Sequence, residues 1–375
     1  MVLHLIKSLS GVGGAEQLLL SLTAAGDRKS FEYHVAHVLV APSGHLVERF
    51  EAAGVELHDL GVSTHYDMRW LGRLRRLLVG RRVAILHVHL PYAAGFGRLV
   101  AHSVRPRPRV VHTQHNIWGE NPMATQVLHR LTCRLDDADI AVSQAAWSVL
   151  PPRLRSRTEV VVHGLSMAEL DAPRRSRDEI RAEFGLRPGE ALVTTVANLR
   201  QEKGYDVLLG AARQLLEEGL AARFVAVGAG PLADEVARRR DGLALGDRFV
   251  LAGFRADAKE IVAASDLFVL ASYHEGFPVA VMEALALGVP VVSTAVGDVP
   301  LAIGRTRSGL VVPPGDSSSL AGAMRTLLLD GALREQMAAA ALASRPDFDV
   351  RRAVGRVEAI YRGLLGIAAP TSQVR

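Results

Sequence analysis

One stretch of this chain, from Ser265 to Gly297, constrains the fold more than any other. It begins with an apolar run rich in β-formers, Leu267 to Ala271, which predicts a buried strand. Pro278 to Leu287 predicts a helix, because proline is favoured at the first helical position and glycine, here Gly288, just past the end. A strand that passes through one short turn into a helix is the building unit of parallel α/β folds. The sequence therefore predicts such a unit here.

The turn of this unit combines a carboxylate with a helix start. Its residues are Glu275, Gly276, Phe277, Pro278 and Val279. Peptide N–H groups in a first helical turn lack intrahelical partners and lie at the positive end of the helix dipole, so they favour an anion. Glu275 and, further along the helix, Glu283 could each accept hydrogen bonds from ligand hydroxyls, and a diphosphate flanked by two hydroxylated groups is a nucleotide sugar. In the alternative interpretation, Glu275 caps the helix and Glu283 is a solvated helix residue.

Alternating strands and helices occur in two series along the chain. At 375 residues the chain exceeds the usual size of a single core, so two domains are expected. A polar, arginine-rich connection with prolines follows residue 170 and separates the two series. We therefore predict an α/β protein with two doubly wound parallel sheets, in domains 1–170 and 171–349.

His115 ends a predicted strand of the first domain, Val110 to Asn116. Ligands of doubly wound sheets gather at the carboxyl ends of strands, so the sequence favours a binding role for His115 over a structural one. His112, three residues earlier, is predicted on the opposite face of the strand. His89 also ends a strand and could line an acceptor pocket.

Two further turns carry phosphate-binding features. Arg200 and Lys203 follow the first strand of the second domain and place cations at its carboxyl end, although each could also be an ordinary solvated charge. Gly13 and Gly14 follow the first strand of the chain and would let the backbone approach a phosphate. The next predicted strand does not end in an acidic residue, which argues against a dinucleotide-binding fold.

The string E-G-F-P-x-x-x-x-E-A, followed by G-x-P-V-V and a glycine turn, resembles the E-x7-E signature of the retaining GT-B glycosyltransferases, especially family 4 (glycosyl transferases group 1). The resemblance spans nearly the whole chain and is strongest from about residue 192 to 316. It implies two Rossmann-like domains facing across a cleft, with the C-terminal helix 350–366 packing back on the first. It also implies sugar transfer from a nucleotide-diphosphate sugar to an acceptor hydroxyl on a glycan, a lipid-linked molecule or a small molecule, with retention of configuration.

The resemblance assigns roles to the candidate residues. Glu275 would hold sugar hydroxyls, Glu283 the ribose, and His115 would orient the transferred sugar. The diphosphate would meet the N–H groups from Gly276 to Val279 and the backbone at Gly13 and Gly14.

Lys203 matches the lysine of the family pattern G-R-L-x-x-x-K-G, which holds the donor diphosphate. Asn198, however, stands where the arginine is expected. Arg200 lies two residues later, on the same face of an extended segment, and could reach the same phosphate. Two other departures are His163 in place of a usual asparagine and Leu301 in place of a usual glutamate.

Neither a metal nor a cofactor is expected, because the cations take the place of a metal and the pair Asp347 and Asp349 lacks further converging oxygens. The net charge of +5 comes without basic stretches interleaved with aromatics, so no nucleic-acid partner is predicted. A single cysteine, no signal-peptide pattern and no membrane-spanning run predict a cytoplasmic protein. The basic helix within Arg69–Arg82 either covers the sheet with a solvated face or contacts anionic lipid at the inner face of the membrane.

Other functions on a similar scaffold stay open at the level of sequence. They are a nucleotide-sugar epimerase, a phosphorylase and a non-catalytic nucleotide-sugar-binding module. The donor base, the donor sugar, the acceptor and the oligomeric state are not fixed by these residues.

Overall fold

A computed structural model describes residues 1–9, 14–39, 45–64, 66–115, 123–171 and 175–368. Its strands, in chain order, are β1 Val2–Ile6, β2 Tyr33–Leu39, β3 Glu56–Val62, β4 Ile85–His89, β5 Arg109–Gln114, β6 Ala138–Ala141, β7 Thr158–Val160, β8 Ala191–Val196, β9 Ala222–Val227, β10 Phe249–Gly253, β11 Leu267–Leu270, β12 Val291–Thr294 and β13 Gly309–Val312. Its α-helices are α1 Gly14–Ala25, α2 His45–Ala52, α3 Arg69–Gly80, α4 Pro91–His102, α5 Met123–Thr132, α6 Gln144–Ser148, α7 Pro152–Arg155, α8 Met167–Leu170, α9 Arg177–Glu183, α10 Tyr205–Glu217, α11 Ala233–Gly242, α12 Ala258–Ala263, α13 Val279–Ala286, α14 Val299–Thr306, α15 Ser317–Leu329, α16 Gly331–Ala343 and α17 Val350–Leu365.

The chain divides into two compact units, Met1–Gly164 with Val350–Arg375, and Leu165–Asp349. The first contains a parallel sheet in the order β3-β2-β1-β4-β5-β6-β7. The strand order reverses between β1 and β4. Polar side chains placed at the carboxyl ends of the strands near such a reversal are well placed for ligands.

The second unit repeats this plan with a parallel sheet in the order β10-β9-β8-β11-β12-β13. Here the order reverses between β8 and β11. The turn with Arg200 and Lys203 follows β8, and the turn predicted to bind an anion follows β11. The predicted fold class, two Rossmann-like domains built on doubly wound parallel sheets, is confirmed.

The unit boundary falls after Gly164, whereas the sequence placed it after residue 170. The short helix α8 and the connection to α9 therefore belong to the second unit. The helix α17 belongs to the first unit, where Val357 and Tyr361 are buried in one cluster with Val2 and Val111. Apolar burial against the first sheet thus holds the C-terminal helix in place.

The basic helix α3 covers the first sheet. Its apolar stripe, Trp70, Leu74 and Leu78, is buried, and Arg73 donates hydrogen bonds to the carbonyls of Leu60 and Gly61. This helix therefore has no free apolar face with which to enter a lipid surface. In the described part of the chain, no helix combines the length and the apolar character that a membrane crossing requires.

Candidate active site

Two loops meet at the carboxyl edge of the second sheet, one after β8 and one after β11. The N–H of Tyr273 in the β11 loop donates to the carbonyl of Glu202 in the β8 loop, at 2.8 Å. Gly204 ends the β8 loop with φ +63°, and a Cβ there would lie 2.0 Å from the carbonyl oxygen of Ala271. Only glycine allows both this backbone conformation and this close approach. The two loops are thus fixed against each other.

This contact brings Lys203 and Glu275 together. Lys203 Nζ lies 2.6 Å from Glu275 Oε1, and Ser272 Oγ donates to the same oxygen at 2.9 Å. Thr294 Oγ1 in turn donates to the carbonyl of Ser272, at 2.6 Å. The other oxygen, Oε2 of Glu275, has no partner among the described residues, and both charged side chains are partly exposed. The carboxylate is held at one oxygen and available at the other.

The start of α13 offers free N–H groups beside this pair. The N–H groups of Gly276, Phe277 and Val279 have no hydrogen-bond partner within the described ranges. Pro278 is the N-cap residue of α13, whereas the sequence predicted it as the first helical residue. Glu275 does not cap the helix, because its contacts are with Lys203 and Ser272. The N–H groups are therefore available to an anion.

The turn is supported from behind by the loop after β12. Gly297 has φ +51°, and a Cβ on it would lie 1.7 Å from the carbonyl oxygen of Gly276. The same carbonyl accepts the N–H of Asp298 at 2.9 Å. Since the carbonyl of Gly276 is occupied in this way, the peptide plane that carries the Phe277 N–H is fixed.

Arg200 supplies a second cation in the β8 loop. Its side chain is exposed and makes no hydrogen bond or ion pair with any residue that the structure describes. Its backbone N–H donates to the carbonyl of Asn198 at 2.9 Å, and Asn198 itself is partly exposed. Arg200 is thus unpaired and close in sequence to the position where the family pattern has its arginine.

Glu283 lies in the middle of α13 and is partly buried. Its carboxylate makes no hydrogen bond or ion pair with the described residues. Burial raises the pKa of Glu283 above its usual value, and the nearby Lys259, which pairs with Glu169 at 2.7 Å, partly offsets this rise. An unpaired, half-desolvated carboxylate is suited to accept hydroxyl donors.

In the first unit, His115 belongs to a chain of histidines. Its Nε2 lies 2.9 Å from Nδ1 of His89, and Nε2 of His89 lies 2.9 Å from Nδ1 of His4. The ring of His163 stacks on His115 with centroids 5.3 Å apart and planes 10° apart. Burial lowers the pKa of His115 well below its usual value, so the ring is neutral near pH 7.

His115 is partly exposed, but His89 is buried with both ring nitrogens bonded to histidines. The expectation that His89 lines an acceptor pocket is therefore wrong; its contacts fix the ring of His115. His112 Nδ1 lies 3.4 Å from Oδ1 of Asp139, its partner in the register of β5 and β6. Gly13 lies outside the described residues, and Gly14 is the first residue of α1.

The sequence predicted no role at the site for several residues that support it. Ser272, Thr294 and Gly297 hold Glu275 and the start of α13, and His163 stacks on His115. The contact of Ser272 with Glu275 could have been found from the sequence, because the two residues are only three positions apart. The other contacts join residues from separate loops, which only the folded structure brings together. Asp347, considered for a metal, instead pairs with Arg305 at 2.8 Å.

Two Rossmann-like units, with the two carboxylates of an E-x7-E motif at the second sheet, are the architecture of a GT-B glycosyltransferase. The family model of glycosyl transferases group 1 matches residues 176–343, and that of Glycosyltransferase Family 4 matches residues 12–167. The chain belongs to this family and is a glycosyltransferase.

Known proteins with similar sequences or structures agree with this family. The chain is 25% identical over 307 residues to N-acetyl-alpha-D-glucosaminyl L-malate synthase of Bacillus anthracis, covering 80% of each chain. It is 30% identical over 275 residues to D-inositol 3-phosphate glycosyltransferase of Mycobacteroides abscessus, covering 72% of this chain and 58% of that protein. Among solved structures, Anabaena Alr3699/HepE in complex with UDP and glucose superposes with a TM-score of 0.83 at 20% identity, over 96% of this chain and 98% of that one. Such a structural match establishes the fold.

Proposed function

We propose that this glycosyltransferase takes a sugar from a nucleotide-diphosphate sugar and transfers it to an acceptor hydroxyl, with retention of configuration and without a divalent cation. The observation that carries the proposal is the ion pair of Lys203 and Glu275, 2.6 Å long, beside the unpaired N–H groups at the start of α13. A cation next to several free N–H donors favours a phosphate group.

The diphosphate would be held by Lys203, Arg200 and the N–H groups of the turn. The lysine ammonium has three donors, and Glu275 occupies one of them, which leaves two for phosphate oxygens. When the anomeric bond breaks, negative charge develops on the diphosphate, so donors already fixed there stabilise the transition state. These cations would supply the charge that a divalent metal supplies elsewhere.

The two carboxylates would bind the hydroxylated ends of the donor. Glu283 is suited to the ribose hydroxyls, because it is unpaired and partly buried within the described part of the helix. Oε2 of Glu275 is suited to hydroxyls of the transferred sugar. Retention of configuration is supported by the resemblance of this E-x7-E stretch to the retaining enzymes. The contact of His115 with the transferred sugar stays a prediction.

A uridine donor is the first to test. Structures of Anabaena Alr3699/HepE contain UDP with glucose, or UDP-glucose, and that protein has the same fold as this chain. The acceptor is not constrained by the residues of the second unit, because loops of this fold vary most where acceptors bind.

A thermal-shift panel of UDP, GDP and ADP sugars tests donor binding, since a ligand at 100 times its dissociation constant adds about 2.7 kcal/mol to stability. The best donor is then assayed for transfer with and without EDTA, and the anomeric configuration of the product is read by NMR. We expect transfer that EDTA leaves unchanged. An isomerised donor formed without acceptor, or donor binding with neither hydrolysis nor transfer, would contradict the proposal.

A weak electrostatic contact with anionic membrane is a separate proposal. It is supported by Arg75 and Arg76, which are exposed on α3, whereas Arg73 is bonded to backbone carbonyls. Sedimentation with phosphatidylserine vesicles at low and high salt tests it. Replacing Arg75 and Arg76 by alanine should abolish a salt-sensitive association, and unchanged association would contradict the proposal.

A further inference from the structure

Two histidines and a glutamate meet at the amino-terminal ends of two strands of the first sheet. His34 lies near the start of β2, and Glu56 and His58 lie at the start of the edge strand β3. The strand register pairs His34 with Glu56 and Ala36 with His58. Because side chains alternate between the two faces of a strand, all three project from the same face.

The three side chains lie near the spacing of metal ligands. His34 Nδ1 lies 2.9 Å from His58 Nε2 and 3.5 Å from Glu56 Oε2, and His58 Nε2 lies 3.7 Å from Glu56 Oε1. Nitrogen and oxygen ligands bound to zinc at about 2.0–2.1 Å in a tetrahedral arrangement lie roughly 3.3 Å apart. A metal ion fits between these atoms with small side-chain movements.

The contact of His34 with Glu32 provides a second indication. Its Nε2 lies 2.9 Å from Oε1 of Glu32. An ionised carboxylate only accepts, so Nε2 carries a proton, and in the neutral ring Nδ1 presents the lone pair that a metal would bind. In the metal-free protein this lone pair can accept the Nε2–H of His58, 2.9 Å away, and a bound metal would take the place of that proton between the two rings. A histidine that donates its other N–H to a carboxylate is the common arrangement at metal centres.

We propose that His34, His58 and Glu56 bind a divalent transition metal of the zinc type, with Glu32 orienting His34. The side chains of His58 and Glu56 are 15% and 46% exposed, which gives the ion a path from solvent and leaves a fourth position for water. The metal joins β2 to the edge strand β3 and stabilises that edge. It plays no part in sugar transfer, because its ligands lie at the amino-terminal ends of the strands. This proposal revises the sequence-based expectation that the chain holds no metal.

Arg81 is the competing cation at this cluster. Its Nη2 lies 2.6 Å from Oε1 of Glu56, so that oxygen is occupied while Oε2 faces His34. The metal and Arg81 can share the carboxylate, one on each oxygen, but their charges repel each other. Removal of Arg81 should therefore tighten metal binding.

Two other clusters of potential ligands are less suited to a metal. The first consists of buried histidines that are bonded to one another or to Thr113 and Tyr361. In the second, two aspartates already pair with Arg98 and Arg157. These clusters are His4, His87 and His89, and His112, Asp136 and Asp139.

The experiment titrates the untagged, full-length protein with ZnCl2 by calorimetry and with CoCl2 by visible absorption, after EDTA treatment and dialysis. The variants are His58→Ala, Glu56→Ala and Arg81→Ala, and Glu51→Ala, an exposed glutamate of α2, is the matched control. Circular dichroism verifies that each variant is folded. Transfer activity of the EDTA-treated protein is measured in parallel.

We expect one metal per chain, a loss of at least tenfold in affinity for His58→Ala and Glu56→Ala, a gain for Arg81→Ala and no change for Glu51→Ala. The Co2+ complex should show the intense absorption of a tetrahedral site. No binding by the parent protein, or binding that survives in both His58→Ala and Glu56→Ala, would overturn the proposal. Loss of metal with unchanged transfer supports a stabilising role.

Discussion

The ammonium nitrogen of Lys203 lies 2.6 Å from Oε1 of Glu275, and this contact joins the loops after β8 and β11. Lys203, which is proposed to bind the diphosphate, and Glu275, which is proposed to bind the sugar, therefore form one electrostatic unit. Loss of either side chain leaves the other charge unpaired in a partly buried position, so the two substitutions should not add independently.

Lys203→Ala and Glu275→Gln should each lower kcat/KM for donor hydrolysis or transfer by at least tenfold, or about 1.4 kcal/mol of transition-state stabilisation. The double variant should lose less than the sum of the two single losses. Steady-state kinetics measure all three. Glu202→Gln is the matched control in the same loop, because the side chain of Glu202 makes no hydrogen bond or ion pair with the described residues. Fully additive losses would contradict the coupling.

Arg200→Ala should weaken binding of UDP and of UDP-sugar by about tenfold, because a charge-assisted hydrogen bond to phosphate is lost. Calorimetry with UDP measures this effect. Gln201→Ala, an exposed neighbour, is the control. Adding Asn198→Arg to the Arg200→Ala variant should recover part of the affinity, since it restores the arginine of the family pattern. If Arg200→Ala binds UDP as tightly as the parent does, Arg200 does not bind the diphosphate.

Glu283→Gln should stabilise the protein and weaken donor binding. The pKa of Glu283 is raised by burial, so its stabilising contribution is present at low pH and is lost as pH rises through the folded-state value. At pH 7 the parent therefore carries a partly buried charge that glutamine removes. Thermal melts should show a higher Tm for the variant at pH 7 and a smaller difference near pH 4. Glu335→Gln, exposed on α16, should change neither property.

The first unit should lose stability in acid before the second. Of the 14 histidines, all but His274 lie in residues 1–164. Burial lowers the pKa of His4 to about 3, and those of His112 and His163 to about 4. Each of these groups stabilises the fold above the ordinary pKa of 6.5, and the contribution is lost as pH falls towards the lowered value.

The free energy of unfolding should fall by about 1.4 kcal/mol per unit decrease in pH for each histidine that stays neutral in the fold and is protonated on unfolding. Urea unfolding between pH 7.5 and 5, followed by limited proteolysis to distinguish the two units, measures it. His4→Asn should reduce the slope of the first unit by one histidine's share and leave the second unit unchanged. Equal acid sensitivity of the two units would contradict this prediction.

Gly297→Ala should lower stability by roughly 2 kcal/mol or more, because a left-handed residue with a side chain costs about 1–2 kcal/mol and the new Cβ meets the carbonyl of Gly276. Activity should fall with it, since this carbonyl fixes the turn that carries the free N–H groups. Gly304→Ala on α14 is the matched control. A Cβ there meets nothing within 4 Å. This substitution should therefore raise the free energy of unfolding, by at most about 1 kcal/mol.

Local patterns were sufficient for most of the architecture. Strands such as β11 and helices such as α13 follow from apolar runs with proline and glycine at their limits. The sequence did not identify α4, whose glycine-rich apolar sequence has no polar stripe.

The candidate site was predictable where one segment contains the chemistry. Glu275 and Glu283 lie on one strand–turn–helix segment, and Lys203 follows a strand that the topology places beside it. What the sequence could not show is that Glu275 bonds Lys203, that Thr294 supports Ser272, or that His34 meets His58. These contacts join positions on different strands, and their register is set by the packing of the whole sheet.

The position of α17 in the first unit has a consequence for biosynthesis. Tyr361 contacts His87, and Glu358 accepts hydrogen bonds from Tyr33 and from the backbone of Asp27, so late residues complete a core begun by the earliest strands. Residues 165–349 form a contiguous unit that can close as they leave the ribosome. The N-terminal sheet, although translated first, has to wait for residues 350–365 to emerge before its core is sealed.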